Sequence, residues 1–316
     1  MTQELNTASA EQTPALKTLL LIDGANFMFR AYHAMKAMGR PLSAPDGTPT
    51  GALATFANMT KKAKDLCAAD AIAIVFESTT GTFRDGLVDD YKANRVETPD
   101  EVKIQMNLAR DLFPLMGVPV IWSNGFEADD VLCAYSADPG EGWQVVMASS
   151  DKDLGQVVGP RARQLDPNGW KLLDEDGVLA KFGVKPNLIA QFLALKGDSV
   201  DNIKGVDKVG DKTASKLLNE YGSIDGIYLN LDKLTPSVRK GFEEAKDRIP
   251  VLMKLTLADL NAPRSMTSDE IYSANRNPDW SGALEILRPL ALKQLIAKAE
   301  KGQSAVAARA ARGVKI

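Results

Sequence analysis

Short apolar runs alternate with longer amphipathic stretches from residue 18 to about residue 175. The runs are TLLLI, AIAIVF, VPVIW and WQVVMAS, followed by the weaker RARQL and WKLL. Buried parallel strands are continuous runs rich in Val, Ile and Leu, because helices cover both faces of their sheet. This pattern predicts an α/β fold with a mainly parallel central sheet flanked by helices.

Beyond about residue 181 the apolar positions recur at helical spacing. The stretches are NLIAQFLALKG, KTASKLLNEYG, SVRKGFEEAKDRIPVLMKL and GALEILRPLALKQLIAKAEK. We therefore expect an α/β core over residues 16–180 and a helical module over residues 181–300 that ends in a C-terminal helix. Residues 1–15 are polar and residues 301–316 are rich in small residues, so both are expected to be disordered tails.

Composition restricts the possible classes of protein. With 316 residues and 45% apolar content the chain can bury a substantial core. No apolar stretch approaches the roughly 20 residues that cross a membrane, so we expect a cytoplasmic protein without a membrane partner. Cys67 and Cys133 lack metal-ligand spacing and are predicted to be reduced core thiols. His33 is the only histidine and is expected to be structural or exposed, so neither a histidine base nor a zinc site is expected.

Acidic residues follow the predicted strands. Asp23 ends TLLLI, Glu77 ends AIAIVF, and both Asp151 and Asp153 follow WQVVMASS. The segment GFEADD adds three acids that open a helix at the same edge, Glu127, Asp129 and Asp130. One such acid is usually a solvated turn residue or a helix-start residue stabilised by free amides. Because ligands bind beyond the carboxyl ends of parallel strands, acids at three strand ends and a helix start favour a divalent-cation site.

The helical half adds Asp198 and Asp201 in LKGDSVDN. The next segment, GVDKVGDKTASKLL, resembles a P-loop, but Asp211 separates Gly210 from Lys212 and the segment follows a helix, so we reject that interpretation. A glycine turn between helices can instead present backbone amides and Lys212 to a phosphate. We expect a helix–turn–helix near residues 198–220.

The net charge of −3 hides an asymmetry. If the nine acids named above form one pocket, the remaining 32 acids face 38 basic residues and leave the rest of the protein near +6. That surface could bind a polyanion such as DNA if cations fill the pocket.

Taken in order, these motifs resemble the 5′-nuclease family, which comprises the flap endonucleases and the 5′→3′ exonuclease domain of bacterial DNA polymerase I. The resemblance rests on LLLIDGANFMFRAYHAM, VFESTTGTFR, DYKANR, GFEADD, SSDKDL and GDSVDNIKGVDKVGDKTASKLL, and covers roughly residues 18–300. It implies a PIN-like core and a stand-alone Mg²⁺-dependent 5′→3′ exonuclease and flap endonuclease. Such an enzyme hydrolyses DNA at 5′ ends, nicks, flaps or junctions in replication or repair.

The resemblance also assigns roles to individual residues. The inner metal acids are Asp23, Glu127, Asp129 and Asp130, and the outer acids are Asp151, Asp153, Asp198 and Asp201. An arch around residues 80–100 places Lys92 and Arg95 at the scissile phosphate, with Arg84 as a further phosphate contact. The DNA-binding residues are Tyr91, Gly205, Lys208, Gly210, Lys212, Thr213 and Lys216. Two or more Mg²⁺ ions are implied, Mn²⁺ is expected to substitute, K⁺ is a candidate for the helix–turn–helix, and the protein is expected to be a monomer.

The sequence departs from the family pattern at three positions. Glu77 stands where Asp is usual, and its added methylene moves the carboxylate by roughly 1 Å. Gly155 replaces a large residue, and Lys208 occupies a turn position that is usually small. Two alternatives therefore stay open, namely a branched-DNA-binding protein with impaired catalysis and a related metal nuclease that acts on RNA.

Overall fold

The computed structural model describes residues 15–39, 42–88 and 90–311. Within these ranges six strands form one sheet in the order β3-β2-β1-β4-β5-β6. Neighbouring strands are parallel except for β5 and β6, which confirms the predicted mainly parallel α/β fold. The strands are β1 (Lys17–Asp23), β2 (Ala71–Val75), β3 (Val120–Ile121), β4 (Trp143–Ala148), β5 (Ala162–Asp166) and β6 (Lys171–Leu173).

Helices make up most of the remaining described chain. The α-helices are α1 (Gly24–Ala37), α2 (Gly51–Leu66), α3 (Asp100–Leu115), α4 (Ala128–Ala137), α5 (Glu175–Phe182), α6 (Ile189–Lys196), α7 (Asp211–Tyr221), α8 (Ile224–Tyr228), α9 (Pro236–Ala245), α10 (Ile249–Thr256), α11 (Ser268–Ala274), α12 (Trp280–Leu287) and α13 (Lys293–Ala311). Short 3-10 helices cover Phe83–Gly86, Asp153–Val157, Pro186–Leu188 and Leu231–Lys233.

The central strand β1 supplies side chains to both faces of the sheet. Leu19 and Leu21 belong to an apolar cluster that extends through α4 and the helices α5 to α11. Leu20 and Ile22 belong to a second cluster with α1, α2, α3, α12 and α13. The alternation follows from the two-residue period of a strand, and burial on both faces explains why the run is apolar throughout. The helices that follow β6 therefore share the core of the sheet.

The structure differs from the sequence-based expectation at three places. The stretch expected as one helix over SVRKGFEEAKDRIPVLMKL is divided into α9 and α10 by a break at residues 246–248. α12 and α13 pack on the face that carries α1 to α3, away from the other helices of the predicted module. The tail expected over residues 301–316 is helical as far as Ala311, because it contains strong helix formers and Gly302 packs directly against Trp280. Residues 1–14 and 312–316 lie outside the described residues.

Two expectations from composition concern the cysteines and the membrane. Cys67 and Cys133 are free thiols, half-buried and buried respectively, as predicted. Burial raises the pKa of the Cys67 thiol to about 11. In the described part of the chain no single helix is long and apolar enough to cross a membrane. One pair of helices, Glu175–Phe182 and Pro186–Lys196, has the required length and composition when taken together, but it is bent by 47°.

The topological switch point of the sheet lies between β1 and β4. β2 and β3 extend the sheet on one side of this point, and β5 and β6 extend it on the other. The connections leave the carboxyl ends of β1 and β4 in opposite directions, so a crevice opens between them. Asp23 and the segment after Ala148 border that crevice.

Candidate active site

Asp23 is held at the carboxyl end of β1 by two hydrogen bonds. It caps α1, where its Oδ1 accepts from the Asn26 amide at 2.9 Å. Its Oδ2 accepts from the Ser149 hydroxyl, 2.7 Å away at the end of β4. Ser149 also accepts from the Asp151 amide at 3.0 Å, and Oδ1 of Asp151 accepts from the Asp153 amide at 3.0 Å. A chain of hydrogen bonds thus links the acids at the ends of the two central strands.

The three acids of GFEADD open α4, as predicted, with Asp129 and Asp130 in its first turn. Glu127 is the N-cap of α4, and its side chain forms a reciprocal capping box with Asp130. This arrangement satisfies amides that the helix leaves free at its start. Asp129 lies near the strand-end acids, since the charges of Asp151, Asp23 and Asp153 act on its ionisation.

These carboxylates destabilise one another's charged forms. Burial raises the pKa of Asp23 to about 6, with Asp151 adding to the rise. Burial and the charges of Asp151, Asp23, Asp153 and Glu127 raise the pKa of Asp129 well above its ordinary value. Burial followed by repulsion from Asp151 does the same to the pKa of Asp153. Like charges brought together out of water cost free energy, which a bound cation would offset.

Glu77 joins the same group of side chains. It follows β2 by two residues, and burial raises its pKa while Lys92 opposes the rise. Glu127 and Asp23 also influence its ionisation. The Glu77 carboxylate therefore lies near enough to Glu127, Asp23 and Lys92 for their charges to act on it.

The donor set fits a hard divalent cation. All the converging side chains offer oxygen, which Mg²⁺ prefers over the nitrogen and sulphur ligands typical of zinc. Oδ1 of Asp153 is buried and accepts no hydrogen bond within the described residues, which leaves it free to bind an ion. Among those same residues no three acidic, histidine or cysteine side chains lie close enough to enclose an ion as they stand. An ion held by three of these acids would therefore require their side chains to leave the positions that they have here.

Asp198 and Asp201 lie in the turn after α6 and approach the cluster from the helical half. Asp198 is buried and pairs with Lys152, whose Nζ lies 2.6 Å from Oδ2. Asp201 accepts from Nε and Nη2 of Arg95 at 3.0 and 2.5 Å. Both acids also raise the pKa of Asp151, although burial makes the larger contribution. The structure therefore brings the turn to the same edge as the strand-end acids.

The predicted arch lies directly over this edge. Nζ of Lys92 lies 2.6 Å from Oε1 of Glu127, and the Tyr91 hydroxyl donates to the same oxygen at 3.2 Å. The Lys92 amide donates to the Asp201 carbonyl, and the Asn94 side chain donates to the Ser199 carbonyl. The segment DYKANR is thus bonded both to the start of α4 and to the turn after α6.

Arg84 occupies a different place from the expected phosphate contact. Its guanidinium is 3% exposed and donates to both carboxylate oxygens of Asp130, at 2.6 and 2.8 Å. It also donates to the Leu257 carbonyl at 2.9 Å. Asp130 is fully buried and accepts from the amides of Glu127 and Asp259 as well. The pair thus joins the arch base, α4 and the segment after α10. The phosphate contact of Arg84 and the metal contact of Asp130 stay predictions.

The remaining predicted DNA-binding residues lie in the turn between α6 and α7 and in the first half of α7. Gly205 packs so closely on the preceding turn that an added Cβ would meet the Gly197 amide nitrogen at 2.4 Å. Lys208 has a φ of 63°, and Gly210 is the N-cap of α7. Lys212, Thr213 and Lys216 follow on α7, with both lysines exposed. Tyr91 is separate from this group, because it packs against the core and bonds to Glu127.

Three residues of the site were missed by the motif analysis. Ser149 lies two residues before Asp151 and Lys152 lies between Asp151 and Asp153, so their proximity in sequence to the acids was a usable signal. Gln164 is fully buried on β5 and donates to the carbonyls of Ser149 and Asp151. Only the pairing of β4 with β5 brings it there, so nothing in the local sequence indicates its role.

Comparison with known proteins identifies relatives along most of the chain. A family model described as the N-terminal resolvase-like domain of 5′-3′ exonuclease matches residues 18–183, and one described as its C-terminal SAM fold matches residues 184–279. A 5′-3′ exonuclease of Aquifex aeolicus is 33% identical over 288 residues, which cover 90% of this chain and 96% of that protein. DNA polymerase I of Rhizobium leguminosarum is 36% identical over 251 residues, which cover 77% of this chain but only 24% of the polymerase.

Solved structures share the fold at lower sequence identity. The zinc-bound 5′-exonuclease of bacteriophage T5 superposes with a TM-score of 0.65 at 18% identity, over 85% of this chain and 99% of that one. Flap endonuclease-1 from Methanococcus jannaschii superposes with a TM-score of 0.53 at 17% identity, over 86% of each chain. At these identities the likeness establishes the architecture.

Proposed function

Because the chain belongs to the 5′-3′ exonuclease family of phosphodiester hydrolases, we propose that it uses Mg²⁺ to cleave DNA at 5′ ends, nicks, flaps or junctions. One observation carries this proposal. Acids from three strand ends, a helix start and a distant turn meet at one sheet edge, where the cations of Lys92 and Arg95 lie over them. A phosphodiester placed between the acids and these two cations would have metal-binding carboxylates on one side and positive side chains on the other.

The acids divide into two groups that suit two ions. Asp23, Glu77, Glu127 and Asp129 would hold one ion, and Asp151 and Asp153 with the turn acids Asp198 and Asp201 would hold another. A bound Mg²⁺ pair stabilises the negative charge of the phosphoryl oxygens and lowers the pKa of a coordinated water. We propose Mg²⁺ with Mn²⁺ as a substitute, on the ground that all donors are hard oxygens.

The other residues of the site act on the phosphate or on the acids. Lys92 and Arg95 would leave Glu127 and Asp201 to contact the scissile phosphate and offset the charge that develops on it. Ser149 holds Asp23 through its hydroxyl. Arg84 acts as a positioning residue, since it fixes Asp130 and the first turn of α4.

The turn between α6 and α7 suits the duplex part of the substrate. Gly210 and the exposed lysines Lys208, Lys212 and Lys216 offer backbone amides and cations to phosphates without reading bases. Selectivity would then follow the shape of the junction, because terminal nucleotides must unpair to reach the recessed acids. We propose that the protein acts as a monomer, since one chain supplies every residue of the site, and that K⁺ in this turn is a secondary candidate.

A labelled 5′-flap substrate tests the proposal. We expect wild-type protein to cleave it with Mg²⁺ and to lose cleavage in EDTA. Asp129→Asn should reduce cleavage by at least about 10²-fold, since it removes a central carboxylate while keeping its shape. Asp176→Asn, at an exposed position on α5, is the matched control. Full activity of Asp129→Asn, or cleavage of RNA flaps in preference to DNA flaps, would contradict the proposal.

A further inference from the structure

A second cavity opens at the edge of the sheet opposite the acidic cluster. It encloses about 380 Å³ between α2, the end of α3, the segment leading into α12, and α13. Ile72 near the start of β2 and Val118 just before β3 line it, which places it at the amino ends of these strands. The cavity is therefore remote from the residues to which we assign cleavage.

The charge of this cavity has one sign. Lys61, Lys64 and Lys298 line it, and its lining contains no aspartate or glutamate. Lys61 has a partner in Asp65 on the next turn of α2. In the described part of the chain neither Lys64 nor Lys298 forms a salt bridge. Burial and the charges of Lys64 and Lys61 lower the pKa of Lys298, and the charge of Asp65 only partly opposes the shift. The ammonium groups of the three lysines therefore repel one another. An anion would relieve that repulsion.

The wall of the cavity also offers a hydrogen-bonding group. The Thr60 side chain is 5% exposed, and its hydroxyl has no hydrogen-bond partner within the described residues. Thr60 and Lys64 lie one turn apart on the same face of α2. A buried hydroxyl without a partner is costly, so a ligand oxygen that reaches it after a shift of the neighbouring side chains would be stabilised. The hydroxyl and the lysines thus favour the same kind of group, an oxygen-rich anion.

Aromatic and apolar side chains complete the wall. Phe113, Met116 and Trp280 line the cavity together with the lysines. Trp280 is fixed in place by α13, since a Cβ on Gly302 would lie 2.3 Å from its Cε2 atom. Rigid indole surfaces stack well on nucleobases. The cavity therefore combines cations for a phosphate with a flat apolar surface for a ring.

We propose that this cavity binds a mononucleotide, with its phosphate at Lys64 and Lys298 and its base against Trp280. The volume lies within the range of small-ligand pockets, and the donors are those that recognise phosphomonoesters. The depth of the Thr60 hydroxyl favours a small ligand that enters the cavity over a duplex backbone that stays on the surface. This binding is independent of the proposed cleavage.

Isothermal titration calorimetry with 2′-deoxyadenosine 5′-monophosphate in EDTA tests the proposal. We expect saturable binding of the nucleotide at one site. Deoxyadenosine, which lacks the phosphate, and inorganic phosphate, which lacks the nucleoside, should each bind at least about tenfold more weakly. Asp129→Asn should bind the nucleotide as wild type does, which would separate this cavity from the active site. Absence of saturable binding to wild-type protein would overturn the proposal.

Single substitutions locate the site. Lys64→Ala and Lys298→Ala should each weaken binding about tenfold through loss of a charged contact, and Thr60→Val should weaken it by a smaller factor. The matched control is Lys62→Ala, because Lys62 lies on the same helix but packs over Trp170. Circular dichroism and thermal midpoints should show that all four variants fold. Equal affinity in all of them, or displacement of the nucleotide by blunt duplex DNA, would overturn the assignment.

Discussion

The ammonium group of Lys92 lies 2.6 Å from Oε1 of Glu127, so a lysine of the arch forms a salt bridge with the N-cap residue of α4. Arg95 and Lys152 make the corresponding contacts with Asp201 and Asp198. Each contact lowers the repulsion within the acidic cluster. Under the proposed function, divalent ions would compete with these side chains for the same carboxylates, and a phosphate would compete for the same cations.

Replacement of Lys92 by alanine should separate cation binding from catalysis. Loss of a phosphate-contacting cation should lower single-turnover cleavage by about 10²- to 10³-fold. Mn²⁺ binding measured by calorimetry should become tighter, because Glu127 loses its competing partner. Lys103→Ala is the control, since Lys103 pairs with Glu97 and Asp100 on the surface. Weaker Mn²⁺ binding in Lys92→Ala would contradict the competition.

Replacement of Arg84 by methionine tests its role as a positioning residue. The variant leaves Asp130 buried without its partner, which should lower the free energy of unfolding by about 3 to 5 kcal/mol. Denaturant unfolding measures this loss, and Arg288→Met is the control because its exposed pair with Glu300 spans 3.9 Å. If Arg84→Met abolishes cleavage at unchanged stability, Arg84 contacts the phosphate directly, as the sequence had suggested.

The comparison of Asp129 with Asp130 explains how far the sequence could predict this site. Apolar runs located the strands, and the rule that acids at strand ends converge located Asp23, Glu77, Asp151 and Asp153. Adjacent carboxylates on a helix point about 100° apart, and Asp130 here bonds to Arg84 and to the amides of Glu127 and Asp259. The partner of Asp130 is 46 positions away, and its identity depends on tertiary packing. For the same reason the burial of Gln164 beneath Ser149 could not be predicted.

Stability without divalent ions should fall as the pH rises. Burial raises the pKa of Asp23 to about 6, whereas an unfolded aspartate titrates near about 3.9. The folded protein then binds more protons than the unfolded chain between about pH 4 and pH 6, so its free energy of unfolding decreases through this window. Asp129 and Asp153, whose pKa values are also raised by burial, act in the same direction.

Thermal midpoints measure this effect. In EDTA the Tm should be lower at about pH 7.5 than at about pH 5, and MgCl₂ should raise the Tm more at the higher pH, where it replaces the lost protons. Asp129→Asn removes one of the titrating groups and should reduce both differences. A Tm that increases with pH in EDTA would show that the acids do not repel one another in the folded protein.

The turn between α6 and α7 depends on the close approach of Gly197 and Gly205. In Gly205→Ala the new methyl group would lie 2.4 Å from the Leu195 carbonyl oxygen, so the backbone must shift. We expect a loss of about 1 to 3 kcal/mol in the free energy of unfolding and weaker binding of branched DNA. Gly169→Ala, in the turn between β5 and β6, is the matched control, because its Cβ would meet no atom within 4 Å. Equal DNA affinity in both variants would mean that the turn does not position the duplex.

The lysines of α7 should contribute to DNA affinity through charge alone. Lys212 and Lys216 are exposed at the start of this helix, where the free amides also favour a phosphate. In Lys212→Ala/Lys216→Ala, affinity for a flap should fall for every sequence, and the slope of log affinity against log salt should decrease by about 2, because two fewer counterions are released. Single-turnover cleavage at saturating protein should stay near the wild-type rate. An unchanged salt slope together with slower cleavage would place these lysines in the chemical step and contradict a duplex-anchoring role for α7.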